Sequence, residues 1–286
     1  MDHLILQRDI NALLEWSRAN KMVFHPNKCH VVQVTLQVEK YMDKFPYYLG
    51  DKCLDYVNVE KDLGVKLVPR LCWNEQCGSL ISRARSRLGL TKRTCHFIKN
   101  RKQRLILYKT MVRSLFQHCA EIWRPVTKVA LGKFEALQKR AVKWIYMEDY
   151  EHYSEEVYQG KLRELDLLPI EQRFVYGDLK LFYKIINKES CVQLPDYLEL
   201  ISPEELLPDS EDPEIRSLRT THKDPLYFVC NIVDRVNVFR HSYFYRTHLE
   251  WNRLPLSLRL IREYGVFLSE LRKHLALCNI PEIEPD

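Results

Sequence analysis

Cysteines, histidines, aspartates and a loop lysine are the residues whose types could do chemistry, and their spacing narrows what each could do. Nine cysteines are scattered through the 286 residues, with no C-x-x-C pair. Cys72 and Cys77, with Cys95-His96 beyond, come nearest to a zinc set. A tetrahedral zinc site draws on closely spaced ligand pairs, and this spacing matches none of the standard arrangements, so no metal is expected here. The odd cysteine count fits free thiols in a reducing compartment. Asp2 and Asp9 are lone acids on a helix, and no Asp-Asp dipeptide occurs anywhere. There is no Gly-x-Ser-x-Gly nucleophile turn, no phosphate-binding Gly-rich loop and no His-Glu-x-x-His pair.

Positive charge is the chemistry that remains. The net charge of +6 is moderate, but its distribution is uneven. From Arg70 to Arg113 there are twelve Lys and Arg side chains and a single acid, Glu75. A cationic face attracts a nucleic-acid backbone because each neutralised phosphate releases condensed counterion, and it does so without reading sequence. The competing reading is a solvated surface, where Lys and Arg stems lie over apolar neighbours and the charged heads stay in water. From Glu199 to Glu214 the sign reverses, with seven acids and no Lys or Arg. That proline-bearing segment is the candidate flexible linker.

The elements that must position these charges follow from periodicity. Residues 4–19 read as an amphipathic helix with Leu6, Ile10, Leu13 and Leu14 as its stripe. His25-Pro26 breaks it. The β-branched Val31, Val32, Val34 and Thr35 predict a strand over 29–36. Tyr47 to Leu54 reads as a hairpin around Gly50-Asp51, and Val57 to Leu67 supplies a further strand. After Trp73 the pattern is helical. Leu80, Ile81, Ala84 and Leu88 alternate with Arg83, Arg85 and Arg87. Leu105, Tyr108, Val112, Leu115, Cys119 and Ile122 step along one face of a single helix, with Lys102, Lys109 and Arg113 on another. Phe134, Leu137, Ala141 and Trp144 form a third stripe, and a fourth helix runs from about Pro169 to Asn187. Trp123, Trp144 and Trp251 read as core aromatics rather than stacking platforms. No apolar run reaches the roughly 18 residues of a membrane helix. The first residues resemble no secretory signal, so the expected location is cytoplasmic or nuclear, not secreted.

Several blocks, in one order, resemble a known family. Leu6-Gln7-Arg8-Asp9-Ile10-Asn11 with Leu14-Glu15-Trp16-Ser17, then Met22-Val23-Phe24-His25-Pro26-Asn27-Lys28-Cys29, then Glu60-Lys61-Asp62-Leu63-Gly64-Val65, resemble the end of the palm in reverse transcriptases of jockey-type non-LTR retrotransposons (LINEs). Leu107-Tyr108-Lys109, Val112-Arg113-Ser114 and Ile122-Trp123-Arg124-Pro125 look like the first long thumb helix, and Leu137-Gln138-Lys139-Arg140-Ala141 is similar to the next. Phe244-Tyr245-Arg246-Thr247 with Trp251-Asn252-Arg253-Leu254-Pro255 resembles the C-terminal block. The resemblance spans nearly the whole chain.

What the resemblance implies is an RNA-directed DNA polymerase fold without its active centre. The family holds two Mg²⁺ ions with a Tyr-x-Asp-Asp pair and an earlier aspartate, and two metals clamp the attacking and leaving oxygens. No matching residues occur here, so Mg²⁺ belongs to the intact family and no cofactor is expected in this chain. Lys28 would sit near the leaving pyrophosphate as a general acid. Leu63 and Gly64 would form the turn of the primer grip. Arg83, Arg87, Arg101, Lys102, Lys109, Arg113, Lys139 and Lys143 would hold the backbone of RNA, DNA or an RNA–DNA hybrid. Tyr243, Phe244 and Tyr245 could stack on bases, although core packing is the simpler reading. The expected fold is α+β and mainly helical. A partial palm with a primer-grip-like hairpin occupies 1–70, and a helical thumb and connection 71–198. An acidic linker occupies 199–222, and a small helical C-terminal domain 223–286. Three functions remain open at this point: a truncated product that binds nucleic acid without synthesis, a fragment of a longer active polymerase, and a helical scaffold or non-functional retroelement product.

Overall fold

The computed structural model describes residues 2–35, 44–148, 154–201, 226–232 and 237–277. They form a mainly helical protein with short strands, divided into two compact units, Met1–Gln76 and Cys77–Asp286.

In the first unit, α1 (Asp2–Ala19) lies against a hairpin of β2 (Tyr48–Leu49) and β3 (Lys52–Cys53), which turns at Gly50 with φ +66°. Ile10 and Leu14 pack on the small core of Tyr47, Leu49 and Leu54. Gln7 completes the edge as a strand would. Its amide donates to the Tyr48 carbonyl at 2.9 Å and accepts from the Tyr48 N–H at 2.8 Å. Leu6 and Leu13, expected on the same stripe, are exposed. The β-branched run is strand only at β1 (His30–Val31), which pairs in parallel with β4 (Asp55–Tyr56). Val32 to Thr35 adds no ladder, because β propensity acts only where a partner strand continues alongside. Leu36 lies outside the described residues. The stretch expected as one strand before Leu67 is instead a hairpin of β5 (Glu60–Asp62) and β6 (Val65–Leu67), closed by Leu63-Gly64. Both turn residues have positive φ, 46° and 92°, as a two-residue hairpin turn matching strand twist requires.

The second unit is helical. α2 (Asn74–Thr94) enters it with Cys77, Leu80, Ile81, Ala84 and Leu88 buried. Asn100 caps α3 (Arg101–Leu107) by accepting from the Lys102 and Gln103 amides. One continuous helix was expected to follow. Instead, α3 passes into a π turn over Tyr108–Val112, then a 3₁₀ turn over Arg113–Phe116, and a left-handed Cys119 precedes α4 (Ala120–Trp123). The change of pitch shifts the buried face by one residue. Tyr108 and Val112 stay inside, but Phe116, Ala120 and Trp123 take the places predicted for Leu115, Cys119 and Ile122. Ile122 is 52% exposed.

Thr127 caps α5 (Lys128–Tyr146), Ser154 caps α6 (Glu155–Glu164), and Pro169 precedes α7 (Ile170–Ile186). Phe116–Phe134, Trp123–Phe174 and Phe134–Phe174 pack edge to face and Trp123 lies tilted on Phe134, at centroid distances of 5.0 to 6.0 Å. A buried polar relay ties α5 to α7. The Tyr108 hydroxyl donates to Gln138 at 2.9 Å, Gln138 donates to the Leu168 carbonyl at 3.1 Å, and the Ile170 amide donates to Glu135 at 2.7 Å. β7 (Leu198–Ile201), which takes in the first residues of the expected linker, pairs antiparallel with β8 (Tyr227–Cys230), and residues 202–225 lie outside those described. α8 (Asn237–Arg240), α9 (Tyr243–Asn252), α10 (Leu256–Arg259) and α11 (Tyr264–Leu277) complete the unit. Trp251, Leu258, Phe267 and Leu271 share one core with Leu179, Phe182 and Tyr183 of α7. The residues placed in thumb and C-terminal regions by resemblance thus contribute to a common interior. Among the described residues no helix is long and apolar enough to cross a membrane.

Candidate nucleic-acid interface

The nominated residues fall in both units. In the first, Lys28 ends a 3₁₀ turn (Pro26–Lys28) and is exposed, with its amide bonded to the His25 carbonyl at 2.9 Å. Leu63 and Gly64 occupy the hairpin tip, and the Leu63 side chain is 82% exposed. Among the described residues no group of three or more His, Cys, Asp or Glu could hold a metal ion, and Asp2 and Asp9 are both exposed on α1. The described residues therefore supply no candidate two-metal centre, and no catalytic step through Mg²⁺ follows from them. None of the eight described cysteines is in a disulfide.

In the second unit the cations separate by environment. Arg83, Arg85 and Arg87 are exposed along α2, as the apolar face of that helix requires. Lys102 is exposed in the first turn of α3. Arg101 is held locally, its guanidinium 4.1 Å from the Tyr146 ring centre and 3.5 Å from Glu164. Lys139 pairs with Glu155 at 2.7 Å and lies over the Tyr158 ring. Burial pushes the Glu155 carboxyl upward, but hydrogen bonds from Lys139 and Gln159 prevail and hold it below its ordinary value. Lys109 is exposed. Arg113 is not: it is 5% exposed, because the π and 3₁₀ turns carry it off the outer face where a regular helix would leave it. Arg113 therefore cannot sit on an outer clamp with Lys102 and Lys109.

Lys143 is brought together with cations that sequence reasoning did not single out. An open cavity of about 490 Å³ is lined by Lys92, Arg104, Arg140, Lys143, Trp144, Met147 and Glu148. The Lys92 ammonium donates to the Arg140 carbonyl at 3.3 Å, joining the end of α2 to α5. Arg104 supports the cavity from inside. It donates to the Ile98 carbonyl at 2.6 Å and to the Trp144 carbonyl, and its guanidinium stacks 4.9 Å from the Trp144 ring centre. Arg104 thus neutralises the carbonyl end of α5, while Lys92, Arg140 and Lys143 present charge around a half-buried indole. The i, i+3 spacing of Arg140 and Lys143 was legible in the sequence. Their meeting with Lys92, 48 residues away from Arg140, was not.

Two of the resemblance blocks also converge, at a buried ion network. Arg124 reaches Asp178 at 2.8 Å and Glu250 at 2.6 Å, and Arg246 reaches Asp178 at 2.9 Å through Nε and 3.2 Å through Nη2. The Tyr243 hydroxyl donates to the Asp178 carbonyl at 2.9 Å. Burial alone would lower the Arg124 pKa, but Glu250 and Asp178 more than offset it and hold the guanidinium charged. Burial raises Glu250 despite Arg124. Two cations and two carboxylates balance here, so the network joins α4, α7 and α9 rather than offering charge to a ligand. Tyr243 is committed to this network, and Trp123 and Trp251 are fully buried in the core. Comparison with protein-family models, curated proteins and solved structures gives no match to this chain.

Proposed function

We propose that this chain is a truncated reverse-transcriptase-like protein that binds nucleic-acid backbone and lacks the carboxylates to polymerise alone. In this reading the first unit is the end of a palm, its Leu63-Gly64 hairpin corresponds to a primer grip, and α2 to α7 correspond to a thumb. One observation carries the reading. Lys92, Arg140 and Lys143 gather around Trp144 at an open cavity, and Lys92 follows the exposed arginines of α2 in sequence. Such an arrangement fits phosphates tracking past a stacking ring and gives affinity without sequence readout. The test is a salt titration of binding to an RNA–DNA hybrid. About six phosphate contacts give a log–log slope of about −5 or steeper, and removing three charges makes it shallower by about 3. The expected result is therefore a steep wild-type slope that flattens in K92Q/R140Q/K143Q. A flat wild-type response means that these cations face only solvent.

A specific observation favours a second reading, in which the chain is part of an active polymerase completed by further sequence. Leu6, Leu13 and Trp16 of α1 are exposed apolar side chains, as expected of a palm fragment that meets more protein. Primer extension with Mg²⁺ separates the two. The first reading expects no synthesis by this chain alone and synthesis only from a version carrying further palm sequence.

A further inference from the structure

We propose that the second unit contains an internal site for a phosphate-type oxyanion, built from Arg113, Arg173, Arg272 and Lys109. It uses none of the residues around Trp144 and does not depend on the interface proposed above.

The starting point is Arg113. Its side chain is buried, yet its Nε and Nη2 have no hydrogen-bond partner among the described residues. Those two N–H groups form the side edge of a guanidinium, where they point in parallel and match two oxygens of a phosphate or similar anion. A buried charged donor pair without an acceptor is unfavourable enough that such groups normally have a partner. Among the described residues no carboxylate supplies one.

Around Arg113 lie Tyr108, Tyr158 and Asp166 together with a set of cations. Lys109 and Arg113 come from the π and 3₁₀ turns, Arg173 from the first turn of α7, and Arg272 from α11. Each of Lys109, Arg113 and Arg173 has its pKa lowered, first by burial and then by repulsion from others of the four; Arg173 is brought down to about 10. Arg173 donates through Nε and Nη2 to the side-chain oxygen of Gln117 when that amide is turned to present it. Arg272 donates to Asp166 at 2.9 Å. Asp166 is the acid common to Lys109 and Arg113, and its side chain is 77% exposed, so water screens most of its charge. Four cations against two carboxylates, Asp166 and Glu121, leave a net positive field. The set grades from buried Arg113, through half-buried Arg173 and Arg272, to exposed Lys109, as a site open on one side requires. A multiply charged anion would satisfy the orphaned edge of Arg113 and relieve the mutual repulsion. A π turn in a helix frequently marks a functional position, and here it is what carries Arg113 inward.

The ligand chemistry is a phosphate bearing two or more charges, either on a small molecule or on a nucleic-acid backbone. The test uses pyrophosphate, with chloride at matched ionic strength as control, on the full chain. Calorimetry and thermal melting are expected to show saturable binding and a raised melting temperature. R113M and R272Q are each expected to weaken binding at least tenfold, and K133Q, at an exposed position of α5, to leave it unchanged. R272Q alters a partly exposed residue and keeps the test decisive if R113M does not fold. Competition then assigns the source. Displacement of pyrophosphate by an RNA–DNA hybrid gives the site a backbone phosphate, and failure to displace gives it a small phosphorylated ligand. Absence of any pyrophosphate effect on the wild-type chain beyond that of chloride, or an equal effect in R272Q, overturns the proposal.

Discussion

Asp178 concentrates the largest single-residue effect expected in this protein. It is buried, accepts from both Arg124 and Arg246, and its own carbonyl is bonded by Tyr243. Asp178→Asn keeps the shape but removes the carboxylate shared by two half-buried guanidinium groups, leaving Glu250 bonded to Arg124. Breaking one partner of a buried ionic network costs about 3 to 5 kcal/mol. Urea denaturation of D178N is expected to show a loss of that size, and D178N/R246M a smaller loss than the sum of its single variants. A loss under about 1 kcal/mol would show the network to be water-screened. His248 is the matching titration. Its imidazole pKa lies below the ordinary 6.5 because burial, opposed by the Phe244 and Tyr245 carbonyls, disfavours the charged ring. Burial lowers His241 and His274 too, with Arg246 and Arg240 adding repulsion at His241. The folded state therefore takes up these protons at lower pH than the unfolded chain. The stability contributed is full above pH 6.5 and is lost as pH falls through the folded values. The urea midpoint is expected to decline on acidification below 6.5, and H248Q to flatten that decline.

At the scale of elements, the turn and the helix chemistry differ in how far sequence alone reveals them. The residue pattern read Val57 to Leu67 as one strand, and only the family resemblance made the Leu63-Gly64 turn legible, where Gly64 stands at φ 92°. The backbone of Leu63 at φ 46° was not legible, since nothing in leucine's chemistry favours the left-handed region. Its strain makes a prediction. Leu63→Asn places a residue that tolerates this backbone at a side chain that is mostly exposed, and is expected to stabilise the chain by roughly 0.5 to 1 kcal/mol. An unchanged or lower melting temperature for L63N would mean that Leu63 contributes packing its exposure does not suggest. The helix after Asn100 shows the opposite case. Its 3–4 periodicity identified Tyr108 and Val112 correctly and then failed, because a π turn costs one residue of phase that no local pattern announces. The rest of that stripe slipped by one, so Phe116 and Ala120 are inside and Arg113 is buried, while Trp123 is inside as its reading as a core aromatic expected. The mainly helical class and the hairpin at Gly50 survived, since both rest on short-range signals. The grouping of Lys92 with Arg140 and the sharing of Asp178 by Arg124 and Arg246 did not appear, since both depend on tertiary packing across more than forty residues.

At the scale of the whole molecule, the distribution of apolar surface sets how the protein behaves in solution. α1 has two apolar faces. Ile10 and Leu14 meet the core of Tyr47, Leu49 and Leu54, while Leu6, Leu13 and Trp16 point away from it. The second face is not a by-product of helix formation, because an amphipathic helix on a single core leaves its outer positions to polar residues. Trp16 is 52% exposed, and an exposed indole beside leucines marks a surface that meets other protein. Short strands with open edges in the same unit add unpaired backbone groups to that surface. The purified chain is therefore expected to self-associate at micromolar concentration and to bind an apolar dye. L13K/W16K is expected to sediment as a monomer and lose dye binding, with no drop in melting temperature because neither side chain belongs to the core. A wild-type chain that sediments as a monomer, excludes the dye and melts cooperatively would show that the outer face of α1 is tolerated by water as it stands.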